Sequence, residues 1–360
     1  MTCNKKTMKS LNTKALLRFF LDADPVSQKK LQQATGLDKC TISVLVNQLR
    51  EQGFVAVAGN GVPSHKGGRK EQFLDLNRGK ITGLGMALRD MKLSAGLFDL
   101  NGNRLWETSF PISRNHSSVW APLVLKTVKA IRAKCEKQGR LFLGAGFALG
   151  CLYNPEKNEI VGITGGEEKN LPLRKLLNDS PGGAPVYADD FPNAMAAGEM
   201  WFGEAQGLRD FLYVQLFPAR MTIVVDGKIL RGHRFFAGEV GKSTGVRKFL
   251  GESTDRASLF SDPLFLDWLF DLTLYFDPRK IIISNESSPS LTPEAAGKIN
   301  RFIGERYNAL YPGFDAPDPV CPGALGAGER VKAAAALVFQ NYFYPDLINP
   351  KKETICRQAS

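Results

Sequence analysis

Histidine and cysteine are scarce in this chain, and the few present are scattered. There are three histidines, and the six cysteines (Cys3, Cys40, Cys135, Cys151, Cys321 and Cys356) form no CxxC pair. That leaves no zinc-type constellation and no disulfide framework, and reduced thiols are the expectation. Long apolar runs are missing too. Nothing approaches the ~20 residues a membrane-spanning helix needs, and the lysine-bearing start is not followed by the apolar core of a secretion signal. A cytoplasmic location is expected.

Acidic charge is also in short supply, but unevenly so. Residues 1–80 hold 14 Lys/Arg against 6 Asp/Glu, whereas the other 280 hold 33 against 30. A basic surplus gathered at one end suits neutralisation of nucleic-acid phosphates better than a uniformly basic surface would. At 360 residues the chain is long enough for two or three domains.

The basic end is organised around LDKCTISVLVNQLREQGFV, residues 37–55. Ile42, Leu45, Val46 and Leu49 recur at helical i, i+3, i+4, i+7 spacing, with Lys39, Thr41, Ser43, Asn47 and Arg50 largely off that stripe. A shorter helix over 27–35 stops at Gly36, a residue free to make a left-handed turn. A first helix over 11–21 is broken by Asp22-Ala23-Asp24-Pro25. Two short helices with a glycine turn and a polar outer face predict a helix-turn-helix. The following strand over 54–57, the basic loop 59–70 and the alternating QFLDL at 72–76 predict a wing.

From Ile81 the pattern turns to α/β. Strands are predicted over 81–88, 92–99 and 104–111, then a helix over 119–138, a strand over 141–149, a strand over 186–189 and a helix over 193–202. The theme then repeats, with strands over 211–217, 221–225 and 228–230, a helix over 262–275, a strand over 280–284, and helices over 293–307 and 329–338. Two lobes, each opening with a β-meander and continuing with helix and strand, predict an internal duplication.

The recognition-helix segment, the GGRK wing, GLFDLNGN at 96–103, NAMAAGE at 193–199 and DGKILRGHRFFAGEVG at 226–241 together resemble the repressor/ORF/kinase (ROK) family. The resemblance implies a winged helix-turn-helix over 1–78, followed by a two-lobed actin-like, ribonuclease-H-like sugar-kinase fold with lobes over 81–205 and 206–350. It covers nearly the whole chain.

The departures from the family pattern concern catalysis. The family's kinases open lobe one with a glycine turn for ATP phosphate; here that place reads Ala87-Leu88-Arg89-Asp90-Met91. Their second-lobe phosphate loop is glycine-rich; here it is Phe217-Pro218-Ala219-Arg220-Met221. Their catalytic Asp, two residues before the Asn matched by Asn193, is Phe191, which cannot accept a hydroxyl proton. Their zinc-ligating His is Lys242, with no cysteine from there to Asp262. No cofactor, no zinc and no phosphoryl transfer are therefore expected.

By the same resemblance, Lys39, Thr41, Ser43, Val44 and Asn47 are the expected base-facing residues. Val44 stands where the family's repressors commonly carry arginine, which leaves a surface suited to thymine methyls. Lys66, Arg69 and Lys70 in the wing are expected on phosphates or in the minor groove. In the cleft between the lobes, Asp190, Asn193, Glu239 and Lys242 are the expected contacts of a sugar or sugar-phosphate effector. An alternative for these charged groups is an ion network filling a disused pocket. The functional expectation is a DNA-binding regulator, a homodimer or homotetramer on a two-fold operator, with an inactive kinase-derived domain. The alternatives are a working sugar kinase with a DNA-binding appendage, and a DNA-binding protein that answers to no ligand.

Overall fold

Two five-stranded sheets of the same plan form the body of the molecule, a computed structural model that describes residues 5–22, 25–60, 71–163, 166–177, 183–250, 256, 258–286 and 290–344. In the first lobe, β4 (Ile81–Arg89), β5 (Lys92–Asp99) and β6 (Arg104–Pro111) make an antiparallel meander. β7 (Leu141–Leu149) pairs parallel with β4, and β11 (Val186–Asp190) pairs parallel with β7, giving the order β11-β7-β4-β5-β6. The second lobe repeats it: β12 (Phe211–Gln215), β13 (Arg220–Val225) and β14 (Lys228–Ile229) form the meander, with β15 (Lys280–Asn285) and β16 (Val320–Gly326) parallel beyond β12. The duplicated pattern in the sequence is thus a duplicated topology.

One face of the first sheet is sealed by α4 (Ser117–Lys137), whose Trp120, Val124, Val128 and Ile131 pack on Leu84, Met86 and Phe147. The second sheet is covered by α8 (Pro263–Phe276) and α9 (Pro293–Leu310). Between the lobes lie α6 (Phe191–Phe202) and α10 (Arg330–Phe343). The α10 helix approaches the first sheet backbone to backbone. A Cβ added at Gly85 would stand 1.7 Å from the Val331 carbonyl oxygen, and one at Gly146 1.8 Å from that of Ala334. Glycine on the strands and the buried Ala333 to Ala336 run on the helix are two halves of one contact.

Several elements were not legible in the sequence. A small antiparallel sheet of β8 (Cys151–Asn154), β9 (Glu159–Ile163) and β10 (Lys169–Pro172) extends the first lobe beside β11, followed by the short helix α5 (Leu173–Leu176). The helix α7 (Thr244–Leu250) and the edge strand β16 were also missed. The final helix begins at Arg330 and runs to Phe343, five residues past its expected end.

The N-terminal unit comprises α1 (Lys5–Asp22), α2 (Gln28–Thr35), α3 (Lys39–Glu51) and a sheet ordered β1 (Val26–Ser27), β3 (Gln72–Leu76), β2 (Val55–Asn60). Its core is not self-contained. Leu16, Phe20, Ile42, Leu49 and Phe54 share one apolar cluster with Val338, Phe339 and Phe343 from α10. Arg18 Nε donates to the Phe343 carbonyl at 2.6 Å, and Phe54 stacks on Tyr342 with centroids 5.7 Å apart.

Candidate functional site

Two places merit attention, and the first is the outward face of α3. Its ends are built by capping. Ser27 accepts from the Lys30 amide at the start of α2, Gly36 closes that helix at φ 69°, and Asp38 caps α3 by accepting from the Thr41 amide at 2.9 Å. Ile42, Leu45, Val46 and Leu49 are buried, whereas Lys39, Val44 and Asn47 are exposed, Val44 by 53%. Ser43 is half-buried on the same side. Thr41 is differently engaged: its hydroxyl donates to Asp38 Oδ2 at 2.5 Å. That bond and the Thr41 amide hold the Asp38 carboxyl below its usual range. Thr41 therefore spends its donor on the cap. The wing residues Lys66, Arg69 and Lys70 lie outside the described residues.

The second place is the cleft where β11 feeds α6. Asp190 caps α6 by accepting from the Phe191 amide at 2.9 Å, and it also accepts from the Cys151 amide at 3.3 Å. Its other oxygen meets Arg220 at 2.7 Å, and Arg220 pairs in turn with Glu239. Asp189 takes both terminal nitrogens of Arg231, at 3.0 and 2.6 Å, and accepts from Asn193 Nδ2 at 2.9 Å. Asn193 Oδ1 then accepts from the Thr222 hydroxyl. Both arginines come from the second lobe and both aspartates from the first, so two ion pairs bridge the cleft.

What remains open among Asp190, Asn193, Arg220 and Arg231 is about 20 Å³, room for a water molecule and not for a sugar. Burial pushes the Asp190 carboxyl up to about 7, against the pull of Arg220. Of the four residues expected here, Asp190, Asn193 and Glu239 are brought together. Lys242 is not: it ends a single 3-10 turn with its side chain exposed, outside the lining of this cleft. The basic partner is Arg220, from the loop where glycines were missing. Sequence reasoning overlooked Asp189, Arg220 and Arg231. The available signal was two adjacent carboxylates at a buried strand end, which demand counter-charges.

The positions where the resemblance would put a phosphate loop and a catalytic base are filled as well. Asp90 and Met91, at φ 52° and 55°, make a tight two-residue turn between β4 and β5. Arg89 at its foot lies over the Phe191 ring. Among the described residues no three His, Cys, Asp or Glu side chains are grouped to hold a metal ion.

Comparison with known proteins places this geometry. The ROK family profile matches residues 85–249. Over that stretch the chain is similar to the ROK family. It is 28% identical over 246 residues to the xylose repressor of Caldicellulosiruptor bescii, covering 67% of this chain and 60% of that protein. It is 25% identical over 238 residues to the xylose repressor of Bacillus subtilis strain 168, covering 66% and 61%. To the DNA-binding transcriptional dual regulator NagC of Escherichia coli strain K12 it is 20% identical over 239 residues, covering 66% and 58%. The matched stretch thus spans about three-fifths of these curated relatives. Among solved structures, a ROK family transcriptional regulator described as a homologue of the E. coli Mlc protein superposes with a TM-score of 0.66 at 17% identity, over 96% of this chain and 98% of that one. The ROK hexokinase of Thermus thermophilus gives 0.53 at 21% identity, over 72% and 98%. The fold is therefore that shared by ROK regulators and sugar kinases.

Proposed function

We propose that this protein is a sequence-specific DNA-binding transcriptional repressor of carbohydrate-related genes, built as a winged helix-turn-helix on a kinase-derived domain that has lost phosphoryl transfer. One observation carries the reading. The sealed inner face of α3 leaves Lys39, Val44 and Asn47 outward on a basic N-terminal unit, which is chemistry for a major groove. Lys39 suits a guanine edge or a phosphate, Asn47 an adenine edge, and Val44 a thymine methyl. Lys66, Arg69 and Lys70 add charge for the backbone beside it. The xylose repressors and NagC, as their names say, are regulators, and the sugar link enters through them. A homodimer or homotetramer would present two such helices to a two-fold operator.

A kinase reading has the site against it. A catalytic carboxylate is wanted where Phe191 stands, and Arg89 occupies the ground beside it. The deciding experiment is selection of bound duplexes from a random pool by the full chain, followed by binding titrations of the Lys39→Ala and Asn47→Ala variants. Enrichment of a defined motif, weakened by both substitutions, supports the reading. Equal binding of all duplexes removes it.

A further inference from the structure

With the inter-lobe cleft closed by Arg220, a space for a small molecule lies on the far side of Asp189. A cavity of about 230 Å³ opens there, bounded by the first lobe's small sheet and β11, by Ile229 and Arg231 of the second lobe, and by Leu337, Gln340 and Asn341 of α10. Tyr153 and Arg231 line both it and the closed cleft, so they form the partition between them. We propose that this cavity is an effector site for an uncharged monosaccharide, distinct from the cleft, and that its occupancy is read by the N-terminal unit through α10. The proposal rests on the regulator reading above.

The lining argues for the ligand class. Asp189 and Arg231 neutralise one another in a two-pronged pair, and among the described residues no other charged side chain lines the cavity. An anionic ligand would gain no unpaired cation there, while a polyol needs none. Donors and acceptors suited to hydroxyl groups are supplied by Tyr153, Asn158, Gln340 and Asn341. Tyr153 donates to Asn158 at 2.6 Å, which fixes both. Gln340 is only 4% exposed, and its Oε1 has no hydrogen-bond partner among the described residues. That oxygen is itself closed off, and a ligand hydroxyl reaches it once the amide, whose Nε2 meets Met200 Sδ at 3.7 Å, turns toward the cavity. Leu173, Leu177 and Leu337 give the apolar wall that the C–H face of a sugar ring prefers. The volume suits one ring and not two.

The same residues argue for the readout. Gln340 and Asn341 are followed at once by Tyr342, stacked on Phe54, and by Phe343, whose carbonyl holds Arg18 of α1. Phe54 lies three residues beyond the end of α3. A ligand that shifts the end of α10 therefore acts on the packing of the unit that carries the DNA-facing helix.

The test uses the full chain with d-xylose, d-glucose and N-acetyl-d-glucosamine, each up to about 10 mM, followed by calorimetry and by fluorescence anisotropy on a bound duplex. Expected is binding of at least one sugar, a change in duplex affinity on its addition, and a loss of about tenfold or more in sugar affinity in both Gln340→Leu and Tyr153→Phe. Far-UV circular dichroism and the thermal midpoint show that the variants fold, and Gln340→Glu serves as a second, near-isosteric change at the same site. Sugar binding that both substitutions leave intact but Glu239→Gln abolishes would place the ligand in the cleft and overturn the proposal while sparing the sugar-responsive reading. Tighter binding of glucose 6-phosphate than of glucose would overturn the ligand class. Failure of all three sugars to bind a protein that still binds its duplex would overturn the site, and DNA recognition would stand.

Discussion

The Arg89 guanidinium lies over the ring of Phe191, its central carbon 5.5 Å from the ring centroid. Two positions to which the resemblance to ROK kinases assigns separate tasks, phosphate binding and proton abstraction, are here in contact with each other. The contact has the geometry of a cation–π pair, and the space between them is closed to a substrate. On the proposed loss of phosphoryl transfer, restoring one group is not expected to restore activity, because the other would remain.

That gives a first prediction. Phe191→Asp alone yields no ATP-dependent sugar phosphorylation, since the new carboxylate faces Arg89 instead of a sugar hydroxyl. A coupled assay over several hexoses checks it, and turnover near ~1 s⁻¹, ordinary for an enzyme, would contradict it.

On the proposed function, DNA binding is expected to fall steeply with salt. If a bound dimer neutralises roughly 6–10 phosphates, affinity drops ~10³–10⁵-fold between about 50 and 200 mM salt. Lys39→Ala flattens that slope or relaxes specificity, whereas Val44→Ala narrows the discrimination of thymine from cytosine with little change in slope. Titrations on matched duplexes at several salt concentrations separate the two.

Legibility in the sequence followed locality. The meander strands and α3 were readable because each carries its own periodicity and its own turn or cap, such as Asp226-Gly227 or Asp38. The β8–β10 sheet was not, because its strands are short and are held by β11 rather than by any pattern of their own. In the cleft, Asp190 and Asn193 were visible through a motif. Arg220 and Arg231 were not, since nothing local says that residues thirty or forty positions away fold back onto Asp189 and Asp190. Lys242 shows the reverse error: a motif position predicted a neighbour, and the backbone turned the side chain outward.

Asp190 makes the stability of the chain fall with rising pH. Its folded value of about 7 lies above the ordinary 3.8, so the folded chain retains a proton that the unfolded chain releases between those values. The associated stability is complete below about pH 4 and is lost as the pH rises through 7. Urea unfolding at pH 5, 6, 7 and 8 should show this component, at most about 1.4 kcal/mol per pH unit, in the native chain and not in Asp190→Asn. Equal slopes in both would count against it.

Gly85→Ala is expected to be among the most damaging single-methyl additions in the protein. The new carbon meets the Val331 carbonyl oxygen at 1.7 Å, and neither backbone can withdraw without separating α10 from β4. Losses of about 4 kcal/mol or more, at the extreme of single substitutions, are expected in denaturant unfolding. Gly297→Ala on α9, with nothing within 4 Å of the added carbon, is the matched control and should change stability by less than about 1 kcal/mol.

The sharing of one apolar cluster between the N-terminal unit and Val338, Phe339 and Phe343 has a consequence for synthesis. A ribosome makes α3 within the first seventh of the chain but supplies the last pieces of its support only after some 290 further residues. A nascent or truncated product therefore carries an N-terminal unit with an open apolar flank. On the proposed function, competence to hold an operator would arrive only with completion of α10, and fragments cut short before it would not compete with the finished protein for its sites.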